Sequence, residues 1–182
     1  MQVPQERIYT SADYWNLPEG QRAELIDEKL YSMTPPSFIH QKLIQQLGRI
    51  IGNHISAKNG ECEVVPAPFA VNLNSDDKIW VEPDISIICD KSKLTEQGCT
   101  GAPDWIIEIV SPGNPEHDYI RKLNLYKDAG VREYWIVDRK NQKIFVYYFG
   151  QPSFEVETYT FQDKIKVHIY EDFQIDFHEL NL

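Results

Sequence analysis

Two nearly continuous apolar segments, joined by a helical pattern, constrain the fold of this chain more than any other feature. Residues 104–110 (DWIIEIV) and 133–138 (EYWIVD) leave little room for a solvent-facing side, so we predict two buried strands. Residues 115–129 between them form a predicted helix, closed by Gly130 just after its last residue. This order predicts a right-handed parallel crossover. We therefore expect a mixed α/β fold, with helices packed against a sheet built around the crossover.

The rest of the chain carries signals for helices, a hairpin and further strands. The predicted elements are a short helix after Thr10, a hairpin over residues 24–33 that turns at Asp27-Glu28, a helix Phe38–Ala57 capped by Ser37, strands at 61–65, 69–73 and 81–89, and an antiparallel tail over 143–149 and 154–177. We expect one domain over residues 1–182. Its parts are a core at about 38–138, an N-terminal helix and hairpin at 9–33, and a C-terminal β extension at 143–182.

Composition and charge exclude several classes of protein. The 182 residues include 28 acidic and 18 basic side chains, a formal net charge of −10, and the acids are scattered. This argues against a histone-like basic protein, collagen and a disordered acidic tail. The N-terminal residues lack a signal peptide's apolar core and no apolar run could span a bilayer, so we expect no membrane partner. The three cysteines lack CxxC spacing, so we expect neither a zinc ribbon nor a disulfide scaffold, and a cytoplasmic location.

Two carboxylates lie in segments that are otherwise apolar. Glu108 is in the middle of residues 104–110, where an ionised side chain without a partner would cost several kcal/mol. Asp84 heads the apolar segment that follows Glu82-Pro83. Acids on neighbouring strands supply the hard oxygen ligands that Mg²⁺ prefers. A turn or a salt bridge is the alternative explanation, and it is stronger for Asp84 than for Glu108.

A lysine follows Glu108 on the predicted helix. Asp118, Lys122 and Tyr126 are four residues apart and share one face, beside an apolar stripe to which Tyr126 belongs. Next to metal-bound acids, a lysine can orient a water molecule or stabilise negative charge that develops on a phosphate. The alternative for Lys122 is a solvated ion pair with Asp118, worth roughly a few tenths of a kcal/mol.

Together these residues resemble a known family. The matching positions are Glu82-Pro83-Asp84, residues 105–112 (WIIEIVSP), Asp118, Lys122, Leu123, Tyr126, Gly130-Val131, residues 133–135 (EYW), Val137-Asp138, and upstream Glu24-Leu25-Ile26-Asp27, Met33, Pro35 and His40. The pattern resembles the Uma family of bacterial restriction endonucleases, in the PD-(D/E)XK nuclease superfamily, over about residues 10–149. The combination is specific, whereas a Pro-Asp pair followed by one acid would be weak.

The resemblance implies a fold, a metal site and an activity. The fold is a restriction-endonuclease-like core with the order α-β-β-β-α-β, which begins at the helix Phe38–Ala57. Asp84 and Glu108 would hold Mg²⁺, which Mn²⁺ can replace, and the backbone carbonyl of Ile109 would be a further metal ligand. The activity is that of a metal-dependent endodeoxyribonuclease, which hydrolyses phosphodiester bonds of DNA.

Two positions depart from the superfamily's pattern. The lysine expected two residues after the acid is replaced by Val110, and the resemblance assigns its role to Lys122 on the following helix. The acid that often lies on the first core helix is absent from residues 38–59, and His40, Gln45 or Glu24 of the hairpin are the candidates to replace it. His40 is in the first turn of its helix, so simple exposure to solvent is its alternative.

We expect a homodimer, since two-fold pairs are the commonest oligomers and nucleases that cut both strands pair two active sites. The net charge predicts weak, salt-sensitive binding of DNA in a local basic cleft, formed by Lys122, Arg121, Lys127, Lys42 and Arg49. The main alternative is a catalytically degenerate nuclease fold that binds nucleic acid or protein, which the missing in-strand lysine and the negative charge favour. A glycoside hydrolase, which needs two carboxylates in a sugar cleft, is the weakest candidate.

Overall fold

The structure, a computed structural model, describes residues 7–111, 121–150 and 155–180, and its elements follow the predicted order. The helices in these ranges are α1 (Ser11–Trp15), α2 (Phe38–Ala57) and α3 (Lys122–Ala129). The strands are β1 (Ala23–Ile26), β2 (Lys29–Ser32), β3 (Glu63–Pro66), β4 (Val71–Asn72), β5 (Ile85–Ile88), β6 (Leu94–Thr95), β7 (Gly98–Thr100), β8 (Trp105–Ile109), β9 (Glu133–Asp138), β10 (Lys143–Tyr148), β11 (Glu155–Thr160), β12 (Lys164–Lys166) and β13 (Gln174–Asp176).

A six-stranded mixed sheet forms the centre of the fold, in the order β11-β10-β9-β8-β5-β3. β8 and β9 are parallel, whereas the other neighbours in this sheet are antiparallel. The described helix between β8 and β9 is α3, which confirms the strand–helix–strand unit. Taken along the chain, α2, β3, β5, β8, α3 and β9 have the predicted order α-β-β-β-α-β. Antiparallel pairs precede this core (β1–β2) and follow it (β12–β13).

The longest helix, α2, begins and ends where the sequence predicts. Ser37 caps it, since its hydroxyl accepts a hydrogen bond from the amide of His40 at 3.3 Å. Beyond its end, Asn59 takes a left-handed backbone conformation that stops the helix. Its fully buried side chains recur every four residues: Leu43, Leu47 and Ile51. Each contributes about 1.5–3 kcal/mol of burial free energy, which fixes α2 on one face of the sheet.

Alternation along β8 decides which residues face each helix. Ile107 packs in the cluster that contains the α2 side chains, whereas Ile106 packs with Tyr126 of α3 on the opposite face. Successive side chains of a strand point to opposite faces, so Glu108 lies on the α3 side with Ile106. The strand therefore directs this carboxylate toward the helix that carries Lys122.

The N-terminal hairpin β1–β2 packs beside the sheet through its buried first strand. Its turn residues, Asp27 and Glu28, have φ angles of 48° and 65°, as a tight two-residue hairpin turn requires. Leu25 and Trp80 exchange two backbone hydrogen bonds, each 2.8 Å long. This pairing brings Glu24 from the predicted hairpin into the interior of the protein.

Two predicted strands are shorter in the structure. The strand predicted at 81–89 is reduced to β5, because Pro83 has no backbone N–H for the ladder. Val81 instead forms an isolated bridge with Val71. This bridge belongs to a separate region of short strands, where the strand predicted at 69–73 is reduced to β4.

Part of the predicted helix and part of the predicted tail lie outside the described residues. Of the helix predicted at 115–129, the structure describes α3 and the end of the helix at Gly130, whose φ of 90° confirms its capping role. Asp118 lies outside the described residues. The tail is antiparallel as predicted, with β11 at the edge of the main sheet.

One cysteine pair corrects the expectation that no disulfide framework forms. Cys62 and Cys89 are joined by a disulfide, and Cys99 is a free, buried thiol. The physical reason is strand register: β3 and β5 are antiparallel with Glu63 opposite Ile88, so the two cysteines lie opposite each other just beyond that pair. Spacing along the chain does not reveal such a cross-strand contact. No helix in the described ranges combines the length and the apolarity needed to cross a bilayer.

Candidate active site

Asp84 lies just before β5, where this strand meets the end of β8. Its Oδ2 atom accepts a hydrogen bond of 2.7 Å from the backbone amide of Ile109. The Nε2 atom of His40 is 3.1 Å from the same Oδ2 and 3.1 Å from the carbonyl oxygen of Ile109. Two of the three predicted metal ligands, Asp84 and the Ile109 carbonyl, therefore both contact the Nε2 atom of His40.

His40 occupies the junction between α2 and the two strands. Its side chain is only 10% exposed, so the alternative of a simply exposed histidine is wrong. Both neighbours of Nε2 are acceptors, so this nitrogen carries a proton, while the buried Nδ1 has no partner among the described residues. Burial, the largest single effect, lowers the pKa of the ring. The hydrogen bond and charge of Asp84, together with the Ile109 carbonyl, outweigh it, and the pKa of His40 is raised.

Lys122 joins two buried carboxylates on the other side of β8. Its Nζ atom lies 2.8 Å from Oε1 of Glu108 and 2.9 Å from Oε1 of Glu24. None of the three side chains is more than 6% exposed. The alternative of a solvated Lys122 is therefore wrong, and the lysine on the following helix does reach the acid of β8. Among the described residues, Glu24 is the second acid whose carboxylate contacts Lys122.

Glu24 contacts Lys122 from the hairpin, and it is one of the three residues predicted to replace the missing acid of the first core helix. Its Oε1 atom also accepts a hydrogen bond of 3.1 Å from the backbone amide of Glu82, two residues before Asp84. Of the three candidates for the missing helix acid, Glu24 and His40 lie at the site, whereas Gln45 is exposed on α2. The structure thus brings two of these candidates to the site, on opposite sides of the β8 strand end.

Tyr126 makes a polar contact with Glu108 that the sequence did not indicate. Its hydroxyl donates a hydrogen bond of 2.6 Å to Oε1 of Glu108, and its ring is fully buried. Burial, followed by the negative charge of Glu108, raises the pKa of this phenol. Tyr126 was assigned to an apolar stripe. The available signal was its position one turn after Lys122, on the same helix face.

The basic cleft predicted around Lys122 is corrected by the structure. Lys122 is buried between carboxylates and cannot contact DNA at the surface. The guanidinium of Arg121 lies over the ring of Tyr31, 4.2 Å from its centroid. The physical reason is that the buried acids of the site draw the nearest ammonium inward.

The chemistry of the donor set at this site suits a hard divalent cation. The described residues contain no group of three or more His, Cys, Asp or Glu side chains that could hold a metal ion. His40, Asp84, Glu108 and Glu24 therefore do not form such a group. The predicted set is two carboxylates, Asp84 and Glu108, and the Ile109 carbonyl; Asp84 contacts Ile109 and His40, whereas Glu108 contacts Lys122 and Tyr126. The two carboxylates and the carbonyl are oxygen ligands of the kind that Mg²⁺ binds with several waters.

Comparisons with known proteins agree with this fold. An uncharacterized Synechocystis sp. protein, slr1290, is 22% identical over 135 residues, which is 74% of this chain and 70% of that protein. The crystal structure of a protein described as "a putative nuclease belonging to DUF820", from Anabaena variabilis, superposes with a TM-score of 0.75 at 22% identity. The match covers 94% of this chain and 96% of the other, so the two proteins share the restriction-endonuclease-like fold.

A family model extends the similarity to almost the whole chain. The model described as "Uma2: Putative restriction endonuclease" matches residues 11–178, which include both β extensions and all the site residues discussed above. The sequence resemblance rested on a shorter region and on the same carboxylates and lysine. The chain therefore belongs to the Uma2 family of restriction-endonuclease-like proteins.

Proposed function

We propose that this protein is a Mg²⁺-dependent endonuclease that hydrolyses phosphodiester bonds of DNA. The family description supports a nuclease. The observation that carries the proposal is the buried ammonium of Lys122, 2.8 Å from the carboxylate of Glu108. It puts a lysine at the acid although the usual in-strand position is occupied by Val110. A lysine on α3 and an acid on β8 are both costly to desolvate, so their burial together favours a functional role.

Each site residue has a distinct role in this proposal. Asp84, Glu108 and the Ile109 carbonyl would hold the ion, which, when bound, polarises a phosphoryl oxygen and makes a bound water more acidic. Lys122 orients the attacking water or stabilises the negative charge that develops on the phosphate. Glu24 positions the Lys122 ammonium from the side opposite Glu108. His40 holds the carboxylate of Asp84 through the 3.1 Å contact.

The charge of the buried cluster supports a cation at this place. Lys122 brings one ammonium together with the carboxylates of Glu24 and Glu108. Asp84 adds a further carboxylate near the same strand end. Buried negative charge is unfavourable unless it is balanced, and a divalent cation balances it.

The activity test uses supercoiled plasmid incubated with purified protein and Mg²⁺ or Mn²⁺. We expect wild type to nick the plasmid, Lys122→Met to lose ~100-fold in rate, and Glu108→Gln to lose activity. Glu61→Gln is the matched control, because Glu61 is an exposed glutamate outside the site. If wild type and Glu108→Gln nick at the same rate, the proposal is wrong.

A second candidate function is a nucleic-acid- or protein-binding module without catalysis. The observation that favours it is that Glu108 is already bound by Lys122 and Tyr126, next to Val110 in the usual lysine slot. Titration with Mn²⁺ or Mg²⁺ separates the two candidates. Metal binding should raise the melting temperature, because it stabilises the folded state by about 2.7 kcal/mol when the metal is at a hundredfold excess over Kd. Asp84→Asn should abolish that gain, and a wild type without any gain would favour the binding module.

The proposal includes a homodimer and a cytoplasmic location, although the Cys62–Cys89 disulfide removes the cysteine argument for that location. Two copies with two-fold symmetry would bring two active sites to the two strands of a duplex. β11, at the edge of the main sheet and with Val156 48% exposed, is one candidate contact. Light scattering in solution tests the dimer, and cell fractionation tests the location. A monomer at all concentrations would contradict the first part.

A further inference from the structure

A cavity of about 270 Å³ adjoins the candidate active site. Its walls come from three places: the segment Thr34–Ser37 before α2, the end of β8, and the turn between β9 and β10. We call it the β9–β10 cavity. His40 and Ile109, which contact Asp84, also line this cavity. A group bound in it would therefore lie next to the proposed scissile phosphate.

The β9–β10 turn places two cations at this cavity. Arg139 and Lys140 are consecutive, exposed and part of the lining. Neither forms an ion pair with any of the described residues, unlike Lys58 and Lys91, which pair with Asp172 and Glu63. On a chain with a net charge of −10, two adjacent cations without acidic partners create a local positive site that polyanions can find.

Asp138, which precedes these cations in the sequence, forms hydrogen bonds within the turn. Asp138 is buried, and its two carboxylate oxygens accept hydrogen bonds of 3.0 and 2.7 Å from the backbone amide and the side-chain amide of Asn141. These bonds hold the turn in one conformation. Arg139 and Lys140 are therefore presented on a rigid support, which reduces the entropy lost when they bind a ligand.

Part of the cavity wall is apolar. Pro35, Pro36 and Val110 contribute to it. An apolar or aromatic surface beside cations is the combination with which proteins bind single nucleotides, through base contact and phosphate contact together. The volume is near the small end of ligand pockets, which suits one nucleotide unit.

We propose that the β9–β10 cavity is the subsite for the nucleotide next to the scissile phosphate, with Arg139 and Lys140 on its backbone phosphate. This inference rests on the proposed function, since it concerns the substrate of that same site. It also assigns two cationic contacts to DNA on a chain with a net charge of −10.

The test measures binding apart from cleavage. Fluorescence anisotropy of a short labelled DNA duplex, in Ca²⁺ and over a series of KCl concentrations, gives the affinity and its salt slope. We expect Arg139→Ala with Lys140→Ala to weaken binding ~10-fold and to reduce the salt slope by ~2, one for each lost phosphate contact. The control is Lys29→Ala with Lys166→Ala, which removes the same charge from exposed positions outside both the cavity and the predicted basic cleft. Its effect should be small.

The outcomes separate this inference from the nuclease activity. Equal weakening in both double variants, or equal competition by polyglutamate and by DNA, overturns the inference. A wild type that cleaves plasmid while Arg139→Ala with Lys140→Ala keeps the same KM also overturns it, and leaves the proposed function standing. A wild type that binds DNA through these two cations but never cleaves refutes the nuclease, and with it the placement next to a scissile phosphate, while the DNA contact of Arg139 and Lys140 stands. Circular dichroism checks that the variants are folded.

Discussion

Replacing Lys122 with methionine tests the electrostatics of the site directly. Methionine keeps most of the apolar volume but removes the ammonium that lies 2.8 and 2.9 Å from two carboxylate oxygens. Those two oxygens are then at most about 5.7 Å apart, and at an effective dielectric constant of about 20 they repel by about 3 kcal/mol or more. Breaking a buried ion pair in this way costs about 3–5 kcal/mol. We expect that loss in the free energy of unfolding of Lys122→Met.

Urea unfolding, followed by tryptophan fluorescence, measures this loss, since Trp105 and Trp135 are fully buried in the main sheet. A second variant separates charge repulsion from altered packing. Lys122→Met combined with Glu24→Gln removes one of the two opposed charges and should recover about 2 kcal/mol or more of the loss. If Lys122→Met unfolds within about 1 kcal/mol of wild type, or if Glu24→Gln recovers nothing, the cluster is not held together by this ammonium.

Three further outcomes are expected. Tyr126→Phe removes the 2.6 Å hydrogen bond to buried Glu108 and should lower the free energy of unfolding by about 1–3 kcal/mol, measured in urea, with a lower nicking rate. Burial raises the pKa of Glu157, but the hydrogen bond with His168 contributes to a net lowering of that pKa. The stabilisation that Glu157→Gln removes should therefore be present above about pH 4.5 and vanish as pH falls through the lowered pKa. A difference between the two proteins that stays constant in thermal melts at several pH values would contradict this. Leu47→Ala should lower the free energy of unfolding by about 2–5 kcal/mol, because this side chain of α2 is fully buried in the core against the sheet; a loss below about 1 kcal/mol would contradict that packing.

Elements with strong local signals could be predicted to the residue. The helix Phe38–Ala57 and the strand Glu133–Asp138 have the expected bounds. The helix has a capping serine, a four-residue apolar repeat and a left-handed stop. The strand is a continuous apolar run between charged ends. Signals of this kind lie within a few residues of what they determine, so one sequence is enough to read them.

Contacts between distant segments could not be predicted with the same certainty. The sequence left His40, Gln45 and Glu24 as alternatives, because it does not say how the hairpin packs against the sheet. The bridge between Leu25 and Trp80 and the hydrogen bond from the Glu82 amide help to hold Glu24 next to Lys122. The disulfide likewise depends on the register of two strands. Both outcomes depend on tertiary packing, which periodicity along the chain does not encode.

The hydroxyl of Tyr126 and the two cations of the β9–β10 turn were missed for different reasons. An aromatic residue on an apolar stripe is usually a packing residue, and only the neighbouring acid shows that its hydroxyl matters. Arg139 and Lys140 follow a strand in an ordinary turn. Their significance depends on the absence of acidic partners among the described residues and on the cavity beside them.

Because Glu24 lies in the interior next to Lys122, the N-terminal hairpin contributes a side chain to the candidate site. A shortened protein that began at Phe38 would retain every strand of the main sheet, yet Lys122 would lose its contact with the carboxylate of Glu24. Loss of β1 would also remove the two backbone hydrogen bonds between Leu25 and Trp80. The opening segment is therefore not a dispensable attachment, and changes within it are restrained by a side chain that is encoded much later in the same polypeptide.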